Sequence, residues 1–188
     1  KAGFDLNLAP IADVATLDSA LSDRAFSDDP ELVTAMTAAS VRGCRQGGVA
    51  CATPYFPGLG AASGSIADGP ATVGLDAASL EIRDLAPFRA AIAEKVPAVV
   101  VSLALYAAYD PVTPAALSPS IVGDLLRDQL GFKGVAISDD LSACTLLSAM
   151  ATRSVASWVS TSFISSIFLV MVSNQRSGWM AKPPSRCL

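Results

Sequence analysis

The chain has 188 residues, enough for one domain of ordinary size. It is 52% hydrophobic and 16% charged, which excludes a disordered tail or an acidic linker, because such segments lack apolar surface to bury. A net charge of −4 argues against a nucleic-acid surface, and the absence of histidine excludes Ser-His-Asp and Cys-His catalysis, His-ligated zinc or haem, and imidazole acid/base chemistry.

In chain order, the first predicted strand is Phe4–Pro10. Asp29-Pro30-Glu31 then opens a helix, with Asp29 as cap and Pro30 at the first helical position. Val33, Met36, Ser40 and Cys44 are expected to share its buried face, and Gly47-Gly48 to end it. A second strand is predicted at Gly48–Thr53. A long glycine-rich loop follows, and a helix is predicted from about Asp84 to Lys95, with Leu85, Phe88 and Ile92 on one side. Ala98–Leu105 is the third strand. Ser118-Pro119 opens a third helix by the same cap-proline pattern, with Leu117 and Val122 as a hydrophobic staple, Leu125, Leu126 and Leu130 on its apolar face, and Gly131 at its end. Gly134–Ser138 is the fourth strand, and a fourth helix is expected after Asp140.

The last three strand runs are almost continuously apolar, as parallel strands covered on both faces are. Repeated βα alternation predicts a parallel sheet. A (β/α)8 barrel needs at least about 200 residues, so four strands in about 150 make half of one; an open doubly wound sheet is the alternative.

The far end differs. All 17 acidic residues lie at or before Asp140, and residues 154–175 carry no charge. Three readings compete for residues 151–188: a membrane segment, a buried helix and strand of the same domain, or sequence foreign to it. The apolar core Phe163–Val172 is about half of the roughly 20 residues needed to span a bilayer, which disfavours the first. The abrupt loss of acidic residues favours the third. Lys1 is not a start methionine, and the compartment is left open.

In either α/β architecture, ligands meet the C-terminal ends of the strands. The candidates there are Asp13, Asp23-Arg24, Pro54-Tyr55-Phe56, the loop Gly58–Gly64, Asp68, Tyr106, Tyr109, Asp110 and Ser138-Asp139-Asp140. A carboxylate at a strand end can act as a nucleophile or stabilise a developing cation, and Asp139 stands there; helix capping by Ser138 or Asp140 is the plain alternative. Arg24 can fork onto ligand oxygens, but pairing with Asp23 or Asp28-Asp29 is the simpler expectation. A nucleotide-binding reading of Gly58–Gly64 requires a helix to begin there, and residues 61–76 have no helical period. Cys44 and Cys51 are expected to pack as small apolar side chains, and the disulfide question is open. The four cysteines form no C-x-x-C pair, so neither a metal site nor a cofactor is predicted.

Six segments in order resemble one family: Phe4-Asp-Leu-Asn-Leu-Ala-Pro-Ile-Ala-Asp-Val14, Asp23-Arg24-Ala-Phe26, Asp29-Pro-Glu-Leu32, Phe56-Pro-Gly-Leu-Gly60, Asp84-Leu-Ala-Pro-Phe88, and Leu130 to Leu141 (LGFKGVAISDDL). They are similar to the catalytic barrel of family 3 glycoside hydrolases, most closely bacterial β-N-acetylhexosaminidases. The resemblance implies a partial TIM-type (β/α)8 barrel over residues 1–150, incomplete at both ends, with 151–188 an atypical tail.

It further implies a retaining mechanism with Asp139 as nucleophile and Arg24 as a sugar-binding residue. The implied substrate is a terminal β-linked N-acetylglucosamine, as in peptidoglycan or chitin fragments. The family commonly reads Lys-His-Phe-Pro-Gly where this chain has Pro54-Tyr55-Phe56-Pro57-Gly58, and many members place an Asp-x-His acid/base in the following loop. Here Asp68 is the substitute candidate. A carbohydrate is therefore the expected partner, self-association through exposed barrel edges is expected, and the chain is expected to be weakly active or inactive.

Overall fold

A computed structural model describes residues 3–66 and 68–140. The strands and helices follow in the order β1 (Leu6–Asn7), α1 (Pro30–Gly47), β2 (Ala50–Phe56), β3 (Thr72–Val73), α2 (Ala77–Arg83), α3 (Leu85–Ala93), β4 (Ala98–Val101), β5 (Leu105–Tyr106), a π-helix (Ser120–Gln129) and β6 (Val135–Ser138). A 3-10 turn, Ala115–Leu117, precedes the π-helix.

The main sheet is parallel throughout, in the order β1-β2-β4-β6. Each strand of this sheet therefore lies beside the one that precedes it within the same sheet. An open doubly wound sheet reverses direction at a switch point, and these strands do not. Four sequential parallel strands with helices between them are the arrangement of half a (β/α)8 barrel. β3 and β5 form a separate parallel pair.

Both faces of β2 and β4 are buried, which explains their unbroken apolar runs. Cys51, Phe56, Val99 and Val101 join the large cluster beneath the helices, with Leu80, Leu85, Phe88, Ile121 and Leu126. Phe56 and Phe88 meet edge to face, with ring centroids 5.3 Å apart. Ala52, Ala98 and Val100, with Ile137 packed against them, form a second, smaller cluster. β1 is exposed, and only Leu6–Asn7 of the expected Phe4–Pro10 run pairs with a neighbour.

Helix α1 starts and stops as its caps dictate. The Asp29 side chain accepts the Glu31 N–H, and Gly48 closes the helix in the left-handed region at φ +70°. Its buried stripe is Val33, Thr37 and Val41, not the expected Val33, Met36, Ser40 and Cys44. Met36 is exposed, and Arg42 and Arg45 of the same helix reach Glu94 at the end of α3. Cys44 and Cys51 are joined by a disulfide, with Cα atoms 6.1 Å apart, rather than packing as separate thiols.

Where one long loop was expected before Asp84, α2 intervenes, capped by Asp76. The helix expected at 84–95 is Leu85–Ala93, with Leu85 and Phe88 buried and Ile92 half-buried. Ser118 precedes a helix as expected but does not cap it with its side chain. Its hydroxyl donates to Asp110 Oδ2 at 2.8 Å instead. Gly131 ends that helix at φ +67°. The readings of residues 151–188, and the helix expected after Asp140, lie outside the described residues.

Candidate functional site

In a parallel sheet the C-terminal ends of all strands face one way. Asp13 stands on the segment that leaves β1, Tyr55 next to the last residue of β2, and Asp139 directly after β6. The Asp139 N–H donates to the Val101 carbonyl at 3.1 Å, so the backbone stays tied to β4 for one residue past the strand. The Oδ1 atom accepts the Asp140 N–H at 2.8 Å. Oδ2 is shielded from solvent and has no hydrogen-bond partner among the described residues. Burial pushes the Asp139 carboxyl above its ordinary pKa, the Asp140 N–H and the Arg24 charge pull it back, and the Asp140 charge adds to the rise.

Arg24 is placed by a one-turn coil in which the Arg24 and Ala25 amides both donate to the Leu21 carbonyl, at 2.9 and 2.8 Å. Leu21 is buried and anchors that turn. The guanidinium Nη1 donates to the Tyr55 hydroxyl at 3.1 Å and lies 5.8 Å from the ring centroid. This corrects the expected surface pair with Asp23 or the Asp28-Asp29 run. Asp29 is used by the α1 cap and Asp28 accepts from the Ser27 hydroxyl, whereas Tyr55 offers both a ring face and an oxygen. The Arg24 charge acts weakly on the carboxyls of both Asp13 and Asp139, in the direction that lowers them.

Tyr55 reaches this position because the β2–β4 register shifts between Thr53 and Phe56. Thr53 faces Val99 and Phe56 faces Val101, so one residue too many is fitted in between. Such irregularities re-aim side chains beside sites. The Pro54–Tyr55 and Phe56–Pro57 peptide bonds are cis.

Beneath Tyr55 lies a buried polar cluster. Asp13 is fully buried and its Oδ1 accepts the Leu59 N–H. Burial raises its pKa to about 7; the Leu59 and Tyr55 amides and Arg24 oppose the rise, and the nearby Asp84 charge adds to it. Asp84 is raised by burial to about 6, countered by Arg83, whose Nη1 lies 3.2 Å from Asp84 Oδ2. The buried Tyr106 hydroxyl donates to the Gly58 carbonyl at 3.0 Å. A side chain at Gly58 would strike Asp84, and one at Gly60 would overlap the Val14 carbonyl.

These contacts occupy the glycine-rich loop with the protein itself. No helix starts at Gly58–Gly64, the next being α2, so the geometry that the nucleotide reading required is missing. Asp110 spends its oxygens on Val112, Thr113 and Ser118, and Tyr106 is core; neither joins Arg24 and Asp139. Asp68 is exposed on a turn in which its N–H donates to the Ser65 carbonyl. Among the described residues no hydrogen bond or ion pair links Asp68 to Arg24 or Asp139. No group of three His, Cys, Asp or Glu suited to a metal occurs among the described residues.

Sequence reasoning placed Asp84 at the start of a helix and within the family segment Asp84-Leu-Ala-Pro-Phe88 but gave it no part in the site, and it missed the pairing of Tyr55 with Arg24. An aromatic residue within three positions of a strand end is the signal available for Tyr55. None marks Asp84 as buried.

The sequence profile of the glycosyl hydrolase family 3 N terminal domain matches residues 1–181. A beta-hexosaminidase of Stenotrophomonas maltophilia is 39% identical over 142 residues, covering 74% of this chain and 41% of its own length. Among solved structures, the beta-N-acetylhexosaminidase from Beutenbergia cavernae superimposes with a TM-score of 0.69 at 32% identity, covering 78% of this chain and 49% of that one. The family 3 beta-N-acetylglucosaminidase from a Paenibacillus species gives 0.71 at 32% identity, covering 77% and 28%. The chain thus spans less than half the length of the curated relatives it matches.

Proposed function

The chain belongs to glycosyl hydrolase family 3 through that family's N-terminal domain, and from this membership we propose that it serves the hydrolysis of terminal β-linked N-acetylglucosamine from peptidoglycan- or chitin-type oligosaccharides. Asp139 is the nucleophile. Its carboxylate attacks the anomeric carbon, the bond to the leaving oxygen breaks, and a covalent glycosyl-enzyme forms that water then hydrolyses with overall retention. The observation that carries this is the Asp139 carboxyl at the end of β6, with one oxygen fixed by the Asp140 N–H and the other without a hydrogen-bond partner among the described residues. Arg24 binds the sugar, and its charge favours the ionised carboxylate that attack requires. Asp68 is the acid/base candidate for the leaving oxygen and the incoming water. No cofactor takes part. The barrel portion ends near residue 150, with 151–188 a separate tail.

A nitrophenyl N-acetyl-β-glucosaminide assay tests the proposal. Turnover lost in Asp139→Ala and kept in Asp140→Ala supports it; turnover intact in Asp139→Ala overturns it.

One observation favours a second reading, a non-catalytic sugar-binding relative. The chain has no histidine, and Tyr55 engages Arg24 where the family commonly places a sugar-contacting histidine. Calorimetry with N-acetylglucosamine separates the two: binding without turnover supports the second reading, and no heat at millimolar sugar counts against it.

A further inference from the structure

We propose that Asp13 is a positioning residue of the candidate site: its buried carboxyl grips the backbone that leaves β2 and so sets Tyr55 against Arg24. The sugar-handling purpose of this device rests on the function proposed above, whereas the device itself rests on geometry alone.

The chain of contacts is short. Asp13 Oδ1 accepts the Leu59 N–H, and the Tyr55 amide also favours the Asp13 charge. Tyr106 holds the Gly58 carbonyl, and the Gly58 N–H donates to the Tyr55 carbonyl at 2.8 Å. Gly58 lies against the Asp84 side chain and Gly60 against the Val14 carbonyl, next to Asp13 in sequence. The Ala12 N–H, on the other side of Asp13, donates to the Pro54 carbonyl at 3.3 Å. The segment from Pro54 to Gly60 is thus held at both ends and in the middle by residues 12–14, Asp84 and Tyr106. Tyr55 is the side chain this segment delivers to Arg24.

A carboxyl is a costly way to build such a grip unless it has a reason to be there. Asp13 Oδ2 is buried and has no hydrogen-bond partner among the described residues, and the same holds for Asp84 Oδ1. Two buried carboxyls facing one another disfavour double ionisation. The charged or titratable groups that face Asp13 are Asp84, Arg24 and Tyr106; Arg83 faces Asp84 and, through the Val14 carbonyl, the end of the β1 segment. Arg83 keeps Asp84 the more readily ionised of the two, which leaves the proton to Asp13. A neutral Asp13 still accepts from Leu59 through Oδ1, so its grip survives protonation while its attraction for Arg24 does not. Preorganisation of this kind acts on a binding side chain through its neighbours, without contact to ligand.

The experiment is NMR of the full chain, following the Arg24 Nε–H, the Tyr55 ring and the Leu59 amide. In the unsubstituted protein the Arg24 signals carry the ring-current shift of Tyr55, and the Leu59 amide titrates near neutrality. Asp13→Ala is expected to abolish the ring-current shift. Asp13→Asn, which keeps a neutral acceptor for Leu59, is expected to retain the shift and to remove the Leu59 titration. Should Asp13→Ala fail to fold, the Asn variant and the pH series decide. Retention of the Arg24 shift in a folded Asp13→Ala protein overturns the proposal. So does a Leu59 titration near neutrality that persists when Asp13→Asn is combined with Asp84→Asn, which removes the other buried carboxyl beside Gly58. The readout needs no sugar: a grip that responds as stated in a chain that neither binds nor cleaves N-acetylglucosamine supports this inference and overturns the function on which its purpose rests.

Discussion

Arg24 and Tyr55 act as one unit, the guanidinium donating to the phenolic oxygen at 3.1 Å while lying 5.8 Å from the centre of the same ring. The two residues are 31 positions apart, Arg24 on the segment that leaves β1 and Tyr55 near the end of the adjacent strand β2. The ring contact is worth about 0.5–1 kcal/mol at an exposed site, and the hydrogen bond about 1 kcal/mol. Tyr55→Phe removes only the second. It is expected to leave the melting temperature within a few degrees and to weaken N-acetylglucosamine binding measurably by calorimetry. Tyr55→Ala removes both contacts and is expected to weaken binding further. Equal affinity in all three proteins would show that Arg24 needs no such support.

The buried carboxyls set the pH dependence of stability. Asp13 and Asp84 have folded-state pKa values of about 7 and about 6, above the ordinary 3.8. Folding therefore takes up protons between these limits, and stability must fall as pH rises from about 4 towards 7, then level off. The combined effect is on the order of a few kcal/mol. Denaturant midpoints at pH 5 and pH 7.5 are expected to be higher at pH 5. In Asp13→Asn much of that difference is expected to vanish, since the amide carries no charge to be buried. A midpoint that rises with pH across this range would contradict the assignment.

How far the sequence discloses this arrangement depends on whether a feature is local. Asp29, Pro30 and Gly48 bound α1 because caps act within a turn of themselves. The apolar runs of β2 and β4 are visible because both faces of each strand are covered, and their order along the chain becomes their order in the sheet. Asp139 is visible at the end of such a run. Tertiary choices are not visible in this way. Nothing near Asp84 in the sequence reveals that Gly58 packs against it. Nor does anything near Met36 in the sequence reveal that α1 turns Val33, Thr37 and Val41 inward and leaves Met36 exposed. Ser118 has the signature of a helix cap, but Asp110, eight residues earlier, takes its hydroxyl.

Two glycines of one loop make a controlled comparison. A β-carbon at Gly60 would overlap the Val14 carbonyl, which is backbone and can move only with the segment that carries Asp13. At Gly64 nothing lies within 4 Å. Gly60→Ala is expected to destabilise by roughly 1–3 kcal/mol, the usual range for overpacking, and to disturb the Tyr55–Arg24 contact. Gly64→Ala is expected to be within about 0.5 kcal/mol of the parent. Urea midpoints distinguish them, and similar values would mean that the Val14 segment yields easily.

The sheet has two ends, and their chemistry predicts how the chain behaves in solution. Among the described residues, β1 pairs only with β2 and β6 only with β4. Phe4, Leu6 and Leu8 are exposed along the first edge, Phe4 at 73%, and Val135 is 61% exposed on the other. Unpaired strand edges beside apolar side chains attract further strands. Residues 1–150 alone are therefore expected to associate, with a sedimentation coefficient that rises with concentration. Lysine on an edge opposes such pairing by charge and by its need for water. Phe4→Lys with Leu8→Lys is expected to shift the protein towards monomer without changing the Tyr55–Arg24 contact, because neither residue belongs to the core cluster. A cooperative monomer at all concentrations before substitution would show that these edges are satisfied within the chain.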